Sequence, residues 1–328
     1  MFKLTRWALS ALALIALQAY SPAFGQTYPS RPITIVVPLA AGTGMDVIAR
    51  MYGEKLSQSL GKPVIIENKP GASLMLAAVA VANAPADGHT LLISTSSAMS
   101  INPTLFKKIN YDPEKDFAPV SWYLKSPFIL VVNPALPIRS VPDLIKYAKA
   151  SATPLTYSSP GPGVAQHLSI EFMKQRFGVD MNHIPYRSTP QSMVDISTGV
   201  VHLAFAEAGA SLPLIKDGRL RALAVSALTR LPVLPDVPPF AEASGAADFE
   251  AVSWHMLLAP AKTPREIVLK LHEEMKRIMS DKDMQQRMAL LGLIPIDPPS
   301  IAVTEQYLKS EKEKWSALVK KLGLAGSQ

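Results

Sequence analysis

Short β-branched apolar runs alternate with helix-length amphipathic segments along this chain, and that alternation is the strongest constraint on its fold. Ile33–Pro38 reads as a buried strand. The segment after it puts Val47, Ile48, Met51, Tyr52, Leu56 and Leu60 on one helical face and stops at Gly61. Val64–Glu67 is a second strand, Leu74–Ala84 an apolar run of helical length, and Thr90–Ser94 a third strand introduced by the Asp87-Gly88 turn. The pattern then repeats. Ile129–Val132, Thr156–Ser158, His183–Pro185, Leu203–Phe205 and Ala222–Val225 read as strands. Helices fall between them, including Val141–Lys149 behind a Ser140 cap and a helix from about Val164 to Phe177. Trp254–Ala259 is a last strand. Beyond it the chain is helical, with a capping box and a first-turn proline in Thr263-Pro264-Arg265-Glu266. The final helix carries Tyr307, Leu308, Trp315, Leu318, Val319 and Leu322 on one stripe, ahead of Gly323.

Strands alternating with helices imply parallel β-α-β units. A chain of 328 residues has room for two such cores. No glycine- or serine-rich linker separates them. The junctions read as strands, at about Val120–Leu130 and Phe249–Leu258. If the C-terminal helices return to the first unit, the chain crosses twice, and two crossings make a hinge and enclose a cleft; periodicity does not show that return.

Composition removes several chemistries. There is no cysteine, so disulfides, thiolate metal sites and a cysteine nucleophile are excluded. Hydrophobic residues make up 48% and charged residues 18%, an ordinary globular balance. The formal net charge is +7, about +5 without Lys3 and Arg6, and that suits an acidic small ligand, but no dense basic run indicates nucleic acid. The first 25 residues read as a secretory leader: Lys3 and Arg6, the apolar run Trp7–Leu17, then Ala23-Phe24-Gly25 before Gln26. The mature protein is expected to be soluble and periplasmic. Cofactor-driven chemistry is disfavoured there, and neither a cofactor nor a metal is expected.

Two loops look built for an anion. Pro38-Leu39-Ala40-Ala41-Gly42-Thr43-Gly44-Met45-Asp46 leaves a buried strand and opens a helix. Small residues let backbone N–H groups face a ligand, and the helix start adds partial positive charge. Ser158-Ser159-Pro160-Gly161-Pro162-Gly163-Val164 does the same in the second unit and adds hydroxyl donors. Each loop has the plainer alternative of a tight packing turn. Asp46 is expected to cap its helix more than to touch a ligand. Ser94-Thr95-Ser96 is either a polar turn or a third donor set at the same rim.

No Gly-Lys-Ser/Thr phosphate loop, His-Glu-x-x-His or Gly-x-Ser-x-Gly occurs. The six histidines are dispersed, and only His167 falls near a loop of interest. His167, Ser158 and Glu207 are the one trio that an exported hydrolase or isomerase could draw on.

Motifs in order along the chain resemble the tripartite tricarboxylate transporter substrate-binding proteins, the Bug receptors. They are Tyr28-Pro29 with Arg31-Pro32, Glu67-Asn68-Lys69-Pro70-Gly71-Ala72, Pro85-Ala86-Asp87-Gly88, Asn102-Pro103, Tyr111-Asp112-Pro113 with Asp116–Val120, Val131–Pro134, His183-Ile184-Pro185-Tyr186, Gly218–Ala224, Leu234–Pro238 and Leu257–Pro260. The resemblance implies an α/β periplasmic binding protein of type II, its two domains joined by two crossover strands around a ligand cleft. It implies domain 1 from 26–125 plus 253–328, the C-terminal helices completing it, and domain 2 from 126–252. It also implies that carboxylate-binding loops fall at Leu39–Asp46 and Ser158–His167, with Tyr186 and Glu207 at the second-domain rim. The expected ligand is a mono- or dicarboxylate, aromatic or otherwise less polar than citrate. The expected partners are membrane transporter subunits, or a sensor kinase if the role is signalling. A monomer is expected.

The sequence departs from the family where it matters. Ser73-Leu74-Met75-Leu76 replaces a glycine-rich turn, either lining the cleft with apolar side chains or packing a helix start. Ser188-Thr189 replaces a glycine pair, and Phe205-Ala206-Glu207 replaces Phe-Asp-Asn.

Overall fold

The computed structural model describes residues 28–187, 189–247 and 249–328. The expected leader Met1–Gly25 and Ser188 lie outside the described residues. Residues from Arg31 to Gln328 form one compact unit.

That unit holds two sheets. The first has the strand order Ile294–Pro295, Phe117–Ser126, Ser253–Pro260, Thr90–Thr95, Ile33–Val37, Val64–Asn68, and the second the order Met181–Pro185, Leu155–Ser159, Leu203–Glu207, Phe128–Val132, Arg221–Val225. Its elements are β1 Ile33–Val37, α1 Gly44–Leu60, β2 Val64–Asn68, α2 Met75–Ala82, β3 Thr90–Thr95 and β4 Phe117–Ser126. The second sheet and its helices follow: β5 Phe128–Val132, α3 Val141–Ala150, β6 Leu155–Ser159, α4 Ala165–Phe177, β7 Met181–Pro185, α5 Thr189–Thr198, β8 Leu203–Glu207, α6 Ala208–Lys216 and β9 Arg221–Val225. The chain then returns through β10 Ser253–Pro260 to α7 Arg265–Met279, α8 Lys282–Leu290, β11 Ile294–Pro295 and α9 Ile301–Lys321. Every strand of the sequence reading is present within a few residues.

The sheets are mixed, whereas alternation alone predicts parallel ones. β1 pairs in parallel with β2 and β3, and β6 with β7 and β8. The crossover strands run the other way: β10 is antiparallel to β3 and β4, and β5 is antiparallel to β8 and β9. A strand that comes directly from the other sheet has no returning helix to reverse it, so it enters antiparallel.

Only Pro127 separates β4 from β5, so the chain steps between sheets in one residue. The return strand β10 lies beside β4, with Ser253 opposite Ser126. Ser226 clasps both crossings. Its hydroxyl accepts the Phe128 amide at 2.8 Å and its carbonyl accepts the Ala251 amide at 3.2 Å. The segment Phe249–Val252, expected as strand, is irregular but buried.

Two local expectations change. The capping box at Thr263 does not form. Pro264 itself is the N-cap of α7, and the Thr263 amide closes a turn on the Pro260 carbonyl instead, at 3.0 Å. On α1 the buried stripe is Met45, Ile48, Ala49, Tyr52 and Leu56, while Val47 is 39% exposed. The helix starts earlier than the hydrophobic pattern suggested, and that turns Met45 inward.

The last helix joins the two sheets. Tyr307 stacks on Trp122 of β4, ring centroids 3.7 Å apart. Further along, Trp315 and Val319 belong to the apolar cluster built on Phe128, Leu130 and Phe205 of the second sheet. Glu311, buried between them, accepts hydrogen bonds from Trp254 Nε1 at 3.0 Å and Trp315 Nε1 at 2.9 Å through one carboxylate oxygen. This ties α9 to the crossover strand β10. Glu311→Ala leaves two buried indole N–H groups without a partner and is expected to cost about 2–4 kcal/mol. Glu311→Gln keeps an acceptor oxygen and should cost clearly less; urea unfolding of the three proteins measures both.

Candidate functional site

The end of β1 and the end of β6 each lead into a helix start, and those starts meet. Thr43 caps α1: its hydroxyl accepts the Asp46 amide at 3.3 Å and donates to the Ala40 carbonyl at 2.9 Å. Asp46, expected as the cap, sits in the first turn instead. Its carboxylate accepts the Gly42 amide at 3.0 Å, Arg50 through Nε at 3.1 Å, and Asn68 Nδ2 at 3.0 Å. Burial acts to raise its pKa, but Arg50, the Gly42 amide and Asn68 outweigh it and hold the carboxyl below its ordinary value. The loop therefore carries an internal anion, which takes the Gly42 N–H. The first amides of α1, at Gly44 and Met45, have no carbonyl of their own helix to donate to.

The second loop is also internally braced. The Ser159 hydroxyl donates to the Gly161 carbonyl and accepts the Gly161 amide, and His183 Nε2 lies 2.7 Å from it. The Gly163 amide donates to His167 Nδ1 at 3.2 Å, and the His167 and His183 rings lie 4.5 Å apart. Burial drives both imidazoles down, His167 to about 3 and His183 to about 4, so both are neutral props behind the loop. Gly163 has φ +78°, and a Cβ there would sit 1.8 Å from Leu105 Cδ2. Only glycine lets this loop lie so close to the first sheet's segment. Ala165 at the start of α4 crosses the gap and donates its amide to Ser97 Oγ at 3.1 Å.

A buried cavity of about 20 Å³ lies where these starts converge, the room of roughly one water molecule. Leu39, Met45, Leu74, Thr95 and Ser97 line it from the first sheet's side. Pro160, Val164, Gln166 and Glu207 line it from the second. Ser126, Phe128, Ser253 and His255 of the crossover strands form its floor. A smaller pocket adjoins it through Pro160 and Gln166 and holds Ser158, Ser159, Tyr186, Thr189 and Ser192.

Of the residues singled out from sequence, Leu39, Thr95 and Glu207 reach the first cavity, and Ser158, Ser159 and Tyr186 the second. Ala40, Ala41, Gly42, Thr43, Asp46, Ser94, Gly161, Gly163 and His167 line neither; most of them shape or brace the two loops. Leu74 does face the cleft, in a left-handed run of three residues, Ala72, Ser73 and Leu74. Sequence reasoning missed Ser97, Ser253 and His255, and it spanned Gln166 within the Ser158–His167 loop without singling it out. The crossover strands were legible, but not that their facing residues floor the cleft. The trio Ser158, His167 and Glu207 forms no relay. Ser158 Oγ bonds Ser192 Oγ at 2.6 Å, His167 holds the Gly163 amide, and Glu207 Oε2 has no hydrogen-bond partner.

A larger groove, about 290 Å³, lies between Phe117, Leu258 and Leu308. Its described lining includes no residue from the starts of α1 or α4. Among the described residues no group of three or more His, Asp or Glu side chains could hold a metal ion.

Glu207 is the unusual group. It precedes α6, is 7% exposed, and an added Cβ on Gly44 would lie 3.6 Å from its Oε2. Burial pushes its carboxyl up to about 7. His255 Nδ1 is likewise buried without a partner, and burial drives that ring down to about 3. The two kinds of group act on stability in opposite directions. In the fold Glu207 keeps its proton up to about pH 7, whereas the unfolded chain releases it above about pH 4.5. Stability is therefore lost as pH rises through that window. The neutral histidines favour the fold above about pH 6.5, and their contribution is lost as pH falls towards 3. Glu207→Gln isolates the first effect, because the histidines are common to both proteins. The variant is expected to be more stable at pH 8 by on the order of 3 kcal/mol, with the gap closing below about pH 4.5. Denaturant unfolding across pH 4–8 measures it.

Comparison with known proteins agrees with this architecture. Residues 48–324 match the sequence profile of the tripartite tricarboxylate transporter family receptor. BugT of Bordetella pertussis is 34% identical over 307 residues, covering 92% of this chain and 93% of BugT. Among solved structures, R. palustris Rpa4515 with adipate is 34% identical at a TM-score of 0.86, covering 91% of this chain and 99% of that one. MatC from Rhodopseudomonas palustris with bound malate is 30% identical at 0.84, covering 89% and 100%. With its profile, its relatives and its two-sheet cleft all in agreement, the chain belongs to the tripartite tricarboxylate transporter receptor family, the group that includes the Bug proteins.

Proposed function

We propose that this protein captures a small organic carboxylate between its two sheets and delivers it to a tripartite tricarboxylate-type membrane transporter. The observation that carries this is the convergence of two helix starts, α1 from one sheet and α4 from the other, on one buried cavity. Helix starts favour anions because their first amides lack internal partners and their dipoles point positive. Rpa4515 and MatC, solved with adipate and malate, support a carboxylate as ligand. The protein would work in the periplasm after loss of its leader, as a monomer. Among the described residues no helix is long and apolar enough to cross a membrane.

In this reading the lobes are 26–125 with 253–328, and 126–252, hinged where Ser126–Phe128 and Ala251–Ser253 run side by side. The cavity admits about one water, so the lobes part to receive the acid and close over it. Closure removes water and strengthens each amide contact with the carboxylate. Ser97, Thr95, Gln166 and the first amides of α1 are the donors best placed to take part. Delivery to a sensor kinase rather than a transporter would use the same binding step. Loss of uptake, as against loss of a transcriptional response, in a deletion strain separates the two.

Titration calorimetry and thermal shift against mono- and dicarboxylates test the binding. At 100 times its Kd a true ligand is expected to raise Tm by about 5 °C. A folded sample that no organic acid stabilises would overturn the proposal. Ser97→Ala leaves the Ala165 amide without its cross-cleft acceptor in the closed form. Its expected effect is a loss of affinity of about 5- to 30-fold with little change in unliganded stability.

A further inference from the structure

The cleft contains a carboxylate of its own where a carboxylate ligand is expected. Glu207 Oε2 lies beside Gly44, the first residue of α1, buried and without a hydrogen-bond partner. Among the described residues that line the cavity none is Lys or Arg. The charged and titratable groups around Glu207 give it no counter-ion. Asp46, one turn into α1, is held by Arg50 and Asn68, and His255 on β10 is a neutral imidazole kept so by burial. The remaining wall is hydroxyl, amide and apolar: Thr95, Ser97, Ser126, Gln166, Leu39 and Phe128. Two desolvated carboxylates in such a space repel, and one would have to take up a proton. A ligand nitrogen bearing hydrogen and positive charge turns the same side chain into a charge-assisted acceptor.

We propose that the Glu207 carboxylate receives a positively charged nitrogen of the ligand, so that the compound recognised is a zwitterion carrying one carboxylate and one such nitrogen, not a di- or tricarboxylate. This rests on the reading of the protein as a carboxylate receptor. It assigns the ligand's two charges to separate parts of the cleft. The carboxylate takes the amides at the start of α4 and the hydroxyls of Thr95 and Ser97, and the nitrogen takes Glu207 beside the start of α1. The hydrophobic lining from Leu39, Leu74 and Phe128 then meets the carbon skeleton between or beside them.

The test is a binding panel on the purified protein at pH 8, where Glu207 is ionised. It sets α- and ω-amino acids, whose ammonium group is charged at that pH, against acids that lack it: 4-aminobutyrate against succinate and butyrate, and 3-aminopropanoate against malonate and propionate. Calorimetry in two buffers of different ionisation heat counts protons taken up. The expected result is that at least one nitrogen-bearing acid binds about 10- to 100-fold more tightly than its matched dicarboxylate, with no net proton uptake. Glu207→Gln, which keeps size and removes charge, should lose that preference while retaining its fold by circular dichroism. A dicarboxylate that binds more tightly than every nitrogen-bearing analogue, with uptake of a proton, overturns this proposal and leaves the carboxylate receptor standing. So does a preference for nitrogen that Glu207→Gln does not change. No binding by any acid in the panel overturns the receptor reading itself, and this one with it.

Discussion

A helix start is a short-range source of positive potential, and this fold brings starts from two different sheets to one buried point. Most of the architecture serves that approach. β1 and β6 deliver α1 and α4 at the same ends of their sheets. Glycine at 163 lets the second loop press against Leu105, and Gly209 at the start of α6 packs against Gly44 of α1, where an added Cβ would lie 3.3 Å from the Gly44 Cα. The Ala165 amide reaches Ser97 across the gap. None of these contacts is strong alone. Together they exclude water, and that makes an amide worth more to an anion than it is at a surface.

The loops are less generous with donors than their composition implies. Gly42 is committed to Asp46, and Gly161 and Gly163 are committed to Ser159 and His167. The small residues let the chain fold back on itself, and their amides mostly stabilise the loops rather than face the cavity. The donors left over come from the helix starts, from Gln166, and from hydroxyls on β3 and the crossover strands. A site built this way is rigid behind and sparse in front. Few polar groups face the cavity, and Glu207 is the one acid among its described lining residues.

Much of this was legible in the sequence. Strand and helix alternation gave both sheets, because β-branched runs bounded by turn residues report burial directly. The two loops at the cavity were visible as small residues between a strand and a helix. The passages between the two sheets were visible as strand-like junctions without a linker. What stayed hidden depends on contacts between distant segments. That Ser126, Ser253 and His255 floor the cleft follows from pairing β10 with β3 and β4, which periodicity does not encode. That Asp46 brace its own loop, with Thr43 as the cap, depends on Asn68 and Arg50 closing around it. The capping box at Thr263 failed for a local reason, since the preceding turn on Pro260 claims its amide.

The most direct measurement is a crystal structure of the protein with the ligand that co-purifies with it. The expected result is a small acid enclosed between the sheets, its carboxylate at the first amides of α1 or α4 and within hydrogen-bonding distance of the Ser97 and Thr95 hydroxyls. A ligand seated instead in the groove between Phe117 and Leu308, with the interlobe cavity closed and dry, would contradict it.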